Sequence, residues 1–389
     1  MPDNKHRKIP DIKSLIAQLL SIPSISCTSD DIDQGNIHVI HLLADLFENM
    51  GFHCEIQTLG NNKANLIATA GSGDKGLVLA GHTDTVPYDE NRWRVDPFGL
   101  TEKENRFYGL GSCDMKSFFA IIIEAVRGIE LNKLQQPLII LATADEETSM
   151  SGAKAIAKHA SKLGITDARY AVVGEPTDMQ PIHMHKGMMM EAIQLTGQAG
   201  HSSNPALGNN ALEAMHKVIS ELMTWRKELQ SRYHNPLFEV PVPTMNFGHI
   251  HGGDNPNRIC GSCELQLDIR PLPGMKVADL RAEMQQRLKT VLHDTGISFK
   301  TVPLFEGVDA METDKNTELV KLAEKMTGSE AQTVAFGTEA PYYNAIGLDS
   351  IVMGPGSINQ AHQPDEYIET KVLEPAVDII RRLITHYCC

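Results

Sequence analysis

His82, Asp114, Glu147, Glu175 and His362 have side chains of the kinds that hold divalent metals, and they lie far apart along the chain. Two histidines and three carboxylates suffice for two ions if one carboxylate is shared. Each ion would then have one histidine, one private carboxylate and half of a bridging one, with room for water. That is the ligand count of a hydrolytic two-metal centre. Successive gaps are 32 residues (82 to 114), 33 (114 to 147) and 28 (147 to 175), followed by 187 (175 to 362).

The surroundings of each donor carry further information. His82 and Asp84 sit in Gly-His-Thr-Asp-Thr-Val-Pro, 81–87, just after an apolar run. Asp84 can accept one ring N–H of His82 and fix its tautomer, although an isolated His-x-Asp also suits a surface or capping histidine. Asp114 closes the glycine-bearing turn that starts at Gly109 and leads into a helix, where it could equally be an N-cap. Glu146 and Glu147 are adjacent after an apolar run, so one can bind metal while Glu146 stays free as general base. A solvated acidic turn is the plainer alternative. Glu175 lies in Gly-Glu-Pro-Thr, 174–177, and His362 in the turn-rich segment 354–366.

Elements that must position these residues can be read from periodicity. Helical spacing covers 11–20, 35–50 (closed by Gly51), 116–129 and 152–163, and apolar runs of strand length cover 65–70, 77–80, 137–143 and 170–173. Strands alternating with helices predict an α/β domain with a mostly parallel mixed sheet, whose ligands collect beyond the carboxyl ends of the strands. The long gap before His362 accommodates an insertion. Its order is a strand at 186–196, a helix at 209–229, strands at 243–250 and 259–270, a helix at 277–292 and a strand at 297–303. This β-α-β-β-α-β order fits an α+β ferredoxin-like sandwich. The expected division is 1–183 and 305–389 for the catalytic domain and 184–304 for the insertion.

Composition narrows the classes. A chain of 389 residues with 42% hydrophobic and 22% charged residues reads as a two-domain globular protein. A net charge of −14 disfavours nucleic acid and anionic membranes as partners. The chain starts basic, but its first apolar stretch is interrupted by Gln18 and reads as an amphipathic helix, not a signal peptide. No run reaches the length of a membrane span. Seven cysteines suggest reduced thiols and a cytoplasmic location. Cys260 and Cys263, three apart in an expected strand, would face opposite sides and could not share a metal.

Together these motifs resemble the M20 family of two-zinc metallopeptidases, which includes aminoacylases and carboxypeptidase G, along essentially the whole chain. The resemblance implies two Zn2+ per subunit, with Co2+ able to substitute. His82 and Glu175 would hold one ion, Glu147 and His362 the other, and Asp114 would bridge. Glu146 would be the acid/base and Asp84 the residue orienting His82. A cis peptide is expected after Asp114. In the inserted lid and dimerisation domain, the Gly197–Ser203 stretch resembles the family segment whose histidine reaches the partner subunit's site of a homodimer. His201 would then donate to an oxyanion, where the residue types alone suit a solvent-facing hairpin.

Arg270, with Asn257 and Arg258, would hold a substrate carboxylate, while Glu339 would face a substrate ammonium or support the metal ligands. Segments 257–260, 268–274, 337–341 and 354–366 resemble the family's acetylornithine deacetylases, which act in arginine biosynthesis. Related desuccinylases and dipeptidases usually have Asn-x-Ile-Pro where this chain has Asn-Arg-Ile-Cys. A non-catalytic scaffold of the same architecture is the remaining alternative.

Overall fold

The computed structural model describes residues 9–29 and 31–389, so the basic start of the chain at 1–8 lies outside the described residues. Two compact units emerge: Met1–His183 with Thr313–Gln332 and Thr338–Cys389, and Met184–Glu312 with Thr333–Gly337.

At the centre of the first unit are four parallel strands in the spatial order Leu138–Thr143, Gly76–His82, Ala168–Pro176 and Asp349–Gly354. The first two are buried throughout, which explains why they read as unbroken apolar runs. The sheet is mixed because Lys63–Ala70 joins Leu138–Thr143 antiparallel and His53–Gly60 pairs beyond it. Asn61 and Asn62, both at positive φ, connect these outer strands. A two-residue turn of that kind can join only antiparallel neighbours.

Helix Ile37–Met50 ends where Gly51 adopts φ 101°, a left-handed cap that suits glycine. Helix Lys116–Val126 is buried at every position except Glu124 and packs against Ile12–Leu20 and Leu373–Cys388. It stops three residues short of the expected end, because Gly128 at φ 89° turns the chain away. Helix Ser151–Lys158 is also shorter than its periodicity predicted.

In the second unit, four antiparallel strands lie in the order Thr244–Gly252, Ser262–Arg270, Met189–Thr196, Ser298–Pro303. Numbered along the chain this is 2-3-1-4, the ferredoxin-like arrangement. Helix Ala211–Arg232 packs against three of these strands and against helix Val277–Val291, burying Trp225, Leu222 and Leu229. Asn210 caps the longer helix by accepting the N–H groups of Leu212 and Glu213. The first strand starts at Met189, three residues later than expected, because the Lys186 and Gly187 N–H groups bond instead to the Val334 and Pro271 carbonyls. All seven cysteines are free, and Cys260 precedes the strand that holds Cys263.

Gly174 sits one residue before Glu175, where a Cβ would come within 2.1–2.3 Å of the Phe118 ring. No rotamer of a ring wedged in the core relieves such a clash. Gly174→Ala is therefore expected to lower the unfolding free energy by about 1–3 kcal/mol, read as a fall in the urea midpoint at unchanged slope.

Candidate metal centre

Each expected donor leaves the sheet or its flanking turns at one edge. His82 is the last residue of Gly76–His82 and lies in register with Thr143 at the end of the neighbouring strand. Glu175 is the penultimate residue of the next strand, whose last residue, Pro176, pairs with Gly354. Asp114 comes from the turn before helix Lys116–Val126. It does not cap that helix, whose N-cap is Met115, and a cis peptide joins Asp114 to Met115 as expected. His362 arrives from the segment after Asp349–Gly354 and adopts φ 59°.

The five side chains meet. His82 Nε2 lies 3.0 Å from Asp114 Oδ1 and 3.7 Å from Glu175 Oε1. His362 Nε2 lies 3.0 Å from Glu147 Oε2 and 3.7 Å from Asp114 Oδ2. Asp114 therefore turns one oxygen to each histidine. Two ligand sets result, His82–Asp114–Glu175 and Asp114–Glu147–His362, each with its donor atoms within 4.8 Å of one another. Glu146 belongs to neither. Cys260 and Cys263 are in no such group among the described residues.

The electrostatics ask for positive charge. Glu175 Oε1 is buried and receives no hydrogen bond, an arrangement that costs free energy unless a cation faces it. Burial and the charges of Asp114, Glu146 and Glu147 push Glu175 well above the ordinary carboxylate range. Burial also raises Glu146, with Glu147, Asp114 and Asp84 adding to the shift against the pull of His82. Burial alone would lower His82, but Glu175, Asp114 and Asp84 hold it well above its usual value. His362 is pushed to about 9, first by its hydrogen bond to Glu147. Neutralising this cluster is what a pair of divalent ions does, and the imidazole and carboxylate donors fit ions of the zinc type.

Asp84 differs from expectation. His82 Nδ1 meets the Asp84 main-chain oxygen at 3.0 Å, while the Asp84 carboxylate is 3.7 Å away. The carbonyl accepts the Nδ1–H, which leaves Nε2 as the ring atom that would turn its lone pair to an ion bound beside Asp114. Meanwhile the Asp84 carboxylate accepts the N–H groups of Glu146 (3.2 Å) and Glu147 (3.1 Å). It thus holds the backbone that presents both glutamates. Asp145, at φ 63°, makes the bend just before them and is anchored by Lys63, Ser26 and Ser151.

Glu339 needs a correction. It is only 1% exposed, and both oxygens are engaged, one by Thr143 (2.7 Å) and the other by Tyr343 (2.8 Å). A carboxylate so enclosed braces the strand end beside His82, the second of the two roles expected for it, and each of its oxygens already accepts a hydroxyl. Segment 337–341 gave no sign of this, because Thr143 is remote in sequence and the Tyr343 contact needs the helix that follows.

The other expected residues belong to the second unit. His201 is exposed, and its Nδ1 accepts the Ser203 N–H at 3.2 Å, which puts the ring proton on Nε2 as a free donor. Its backbone bridges to Arg258. Arg258 is exposed and pairs with Asp254, Asn257 is exposed, and Arg270 gives its Nε–H to Asp268 at 2.9 Å.

Sequence reasoning missed Glu366, which is 1% exposed and accepts three main-chain N–H groups from the Asp114 turn. It missed Lys116 as well, whose buried ammonium donates to the Ile22 carbonyl at 2.8 Å and which burial lowers to about 7. Both were visible as charged residues beside donor motifs; only burial distinguishes them from surface charges.

Asp84→Asn leaves one acceptor oxygen for two N–H groups. We expect a loss of about 1–3 kcal/mol in unfolding free energy from the orphaned donor, measured by urea denaturation.

A family model described as peptidase family M20/M25/M40 matches residues 78–386. The acetylornithine deacetylase of Pectobacterium carotovorum subsp. carotovorum (strain PC1) is 48% identical over 382 residues, 98% of each chain. That of Proteus mirabilis (strain HI4320) is 49% identical over 383 residues, again 98% of each. Among solved structures, an M20 family metallo-carboxypeptidase from Sulfolobus solfataricus aligns with TM-score 0.77 at 20% identity, covering 97% of this chain and 99% of that one. A dinuclear metal-binding M20 peptidase from Bacillus subtilis aligns at 0.65 and 15%, covering 96% of each. At such identities the structural likeness concerns the fold.

Proposed function

The chain belongs to peptidase family M20/M25/M40, and within it we propose that the protein is a metal-dependent amide hydrolase that cleaves N2-acetyl-L-ornithine to L-ornithine and acetate. One observation carries the chemistry: Asp114 is common to both ligand sets while Glu146 lies outside them. The substrate rests on the near-half identity, over almost the full length, to proteins named acetylornithine deacetylase.

In this reading His82, Asp114 and Glu175 hold one divalent ion, and Asp114, Glu147 and His362 hold the other, with Zn2+ the expected metal and Co2+ a substitute. When bound, the pair supplies Lewis-acid polarisation of the acetyl carbonyl and acidifies a water. Everything else falls to the chain. Glu146, fixed through its own N–H by Asp84, takes a proton from the attacking water and returns it to the departing α-amine. His201, with its proton on Nε2, donates to the oxyanion as the tetrahedral centre forms. Arg270, assisted by Asn257 and Arg258, pairs with the substrate carboxylate, a planar anion that a guanidinium meets with two N–H groups.

The same proposal includes a homodimer to which the second unit contributes, a cytoplasmic location and a role in arginine biosynthesis. No helix among the described residues is long and apolar enough to cross a membrane. The net charge of −14 leaves nucleic acid and anionic lipid unfavoured as partners.

Amide hydrolysis, read as the free amine released from each substrate, should be fast with acetylornithine and slow or absent with succinyl-diaminopimelate and simple dipeptides, and chelation should abolish it. Preference for one of the latter substrates would replace the proposed activity with another of the family's. Glu146→Gln should lose about 10²- to 10⁴-fold in kcat while retaining wild-type metal content by elemental analysis. Near-normal turnover would remove Glu146 from its role.

A further inference from the structure

The bridging aspartate has to stay between two ligand sets although it sits in a turn, and one residue far along the chain restrains that turn at four points. Glu366 Oε1 accepts the N–H groups of Cys113 (2.7 Å) and Asp114 (2.9 Å), and Oε2 accepts that of Gly111 (3.0 Å). Its own main-chain oxygen accepts the Gly109 N–H at 3.0 Å. Strand Tyr367–Glu369 pairs antiparallel with Arg106–Tyr108, with Tyr367 opposite Tyr108, so the sheet register brings Glu366 to the start of the turn.

Successive N–H groups converging on one side form a concavity that binds an anion. Here the anion is supplied by the chain itself. Glu366 also follows His362 by four residues. A single segment therefore delivers a histidine to one ligand set and clamps the aspartate that both sets share.

We propose that Glu366 is a positioning residue for the metal pair: by holding the Gly111, Cys113 and Asp114 amides it fixes the Asp114 carboxylate, and with it the coupling of both ion positions. This rests on the two-metal reading above. Glu366 touches neither ion nor substrate. Its effect runs through the backbone of the turn, as with outer partners that orient metal ligands generally. Two acceptor oxygens and the full length of the side chain are both needed. Gln at this position has one acceptor oxygen and an amide NH2 that meets N–H groups head-on. Asp has two oxygens but is one methylene too short to span from Gly111 to Asp114.

The test is metal binding by metal-free protein, measured by competition against a chromophoric chelator with Zn2+ and with Co2+ as the probes. Wild type should bind two ions per chain, and its failure to do so would sink the two-metal reading itself. Given a two-ion wild type, Glu366→Gln and Glu366→Asp should each weaken at least one ion by about 10- to 100-fold and alter the visible absorption of the Co2+ form. Ile368→Val, a conservative change of a buried residue in the adjacent strand, serves as the control for stability and should leave both affinities and the spectrum unchanged. Wild-type affinities in both Glu366 variants would overturn the proposal. So would an equal loss in the Ile368→Val control, or failure of both Glu366 variants to fold, since either would make Glu366 a general support of the fold.

Discussion

Mutual repulsion among carboxylates is the constraint that shapes this protein. Asp114, Glu146, Glu147 and Glu175 converge on one edge of a sheet. Two unit charges 4 Å apart at a protein surface repel by about 4 kcal/mol. Such a cluster does not assemble by its own preferences. It needs a scaffold stiff enough to hold the donors in place, and it gains from the cations that such a site attracts. Four parallel strands, all buried toward their carboxyl ends, provide the stiffness, because those ends cannot drift without breaking hydrogen bonds on both sides.

Around the cluster lies a layer of carboxylates that face the protein's own donors. Asp84 collects the amides of Glu146 and Glu147, Glu339 the hydroxyls of Thr143 and Tyr343, and Glu366 the amides of the Asp114 turn. Burial raises Asp84 to about 7 and Glu366 to about 8, while their N–H partners pull in the opposite direction by favouring the charged form. Each of these outer acids grips backbone or strand-end groups. The inner acids are thereby left with free oxygens, of which Glu175 Oε1 is the clearest case.

Much of the site was legible because metal ligation restricts residue type. Position just past an apolar strand run singled out His82, Glu147 and Glu175 by chemistry and location together, while Asp114 was read from a glycine-bearing turn where an N-cap was an equal alternative. His362 was harder. Its segment has no regular periodicity, and turn richness alone singled it out. Glu339 was left between two roles because its hydroxyl partners, Thr143 in a strand about 200 residues earlier and Tyr343 in the following helix, are joined to it only by the fold. Asp84 was chosen for the right neighbourhood, but its carboxylate serves the glutamate turn and its carbonyl serves the histidine.

By itself the sequence determined what is local: the strand and helix segments, the order of the inserted sandwich, and the donor types at their ends. These follow from periodicity and residue chemistry, which act over a few positions. Only the tertiary structure decided which carboxylates gather into ligand sets with oxygens left free and which face the chain's own N–H and O–H groups. That distinction depends on burial and on partners tens to hundreds of residues away, as Glu366 and the Gly111–Asp114 amides demonstrate. Strand direction at the outer edge was likewise settled by a two-asparagine turn, whose backbone conformation becomes evident only once its flanking strands pair.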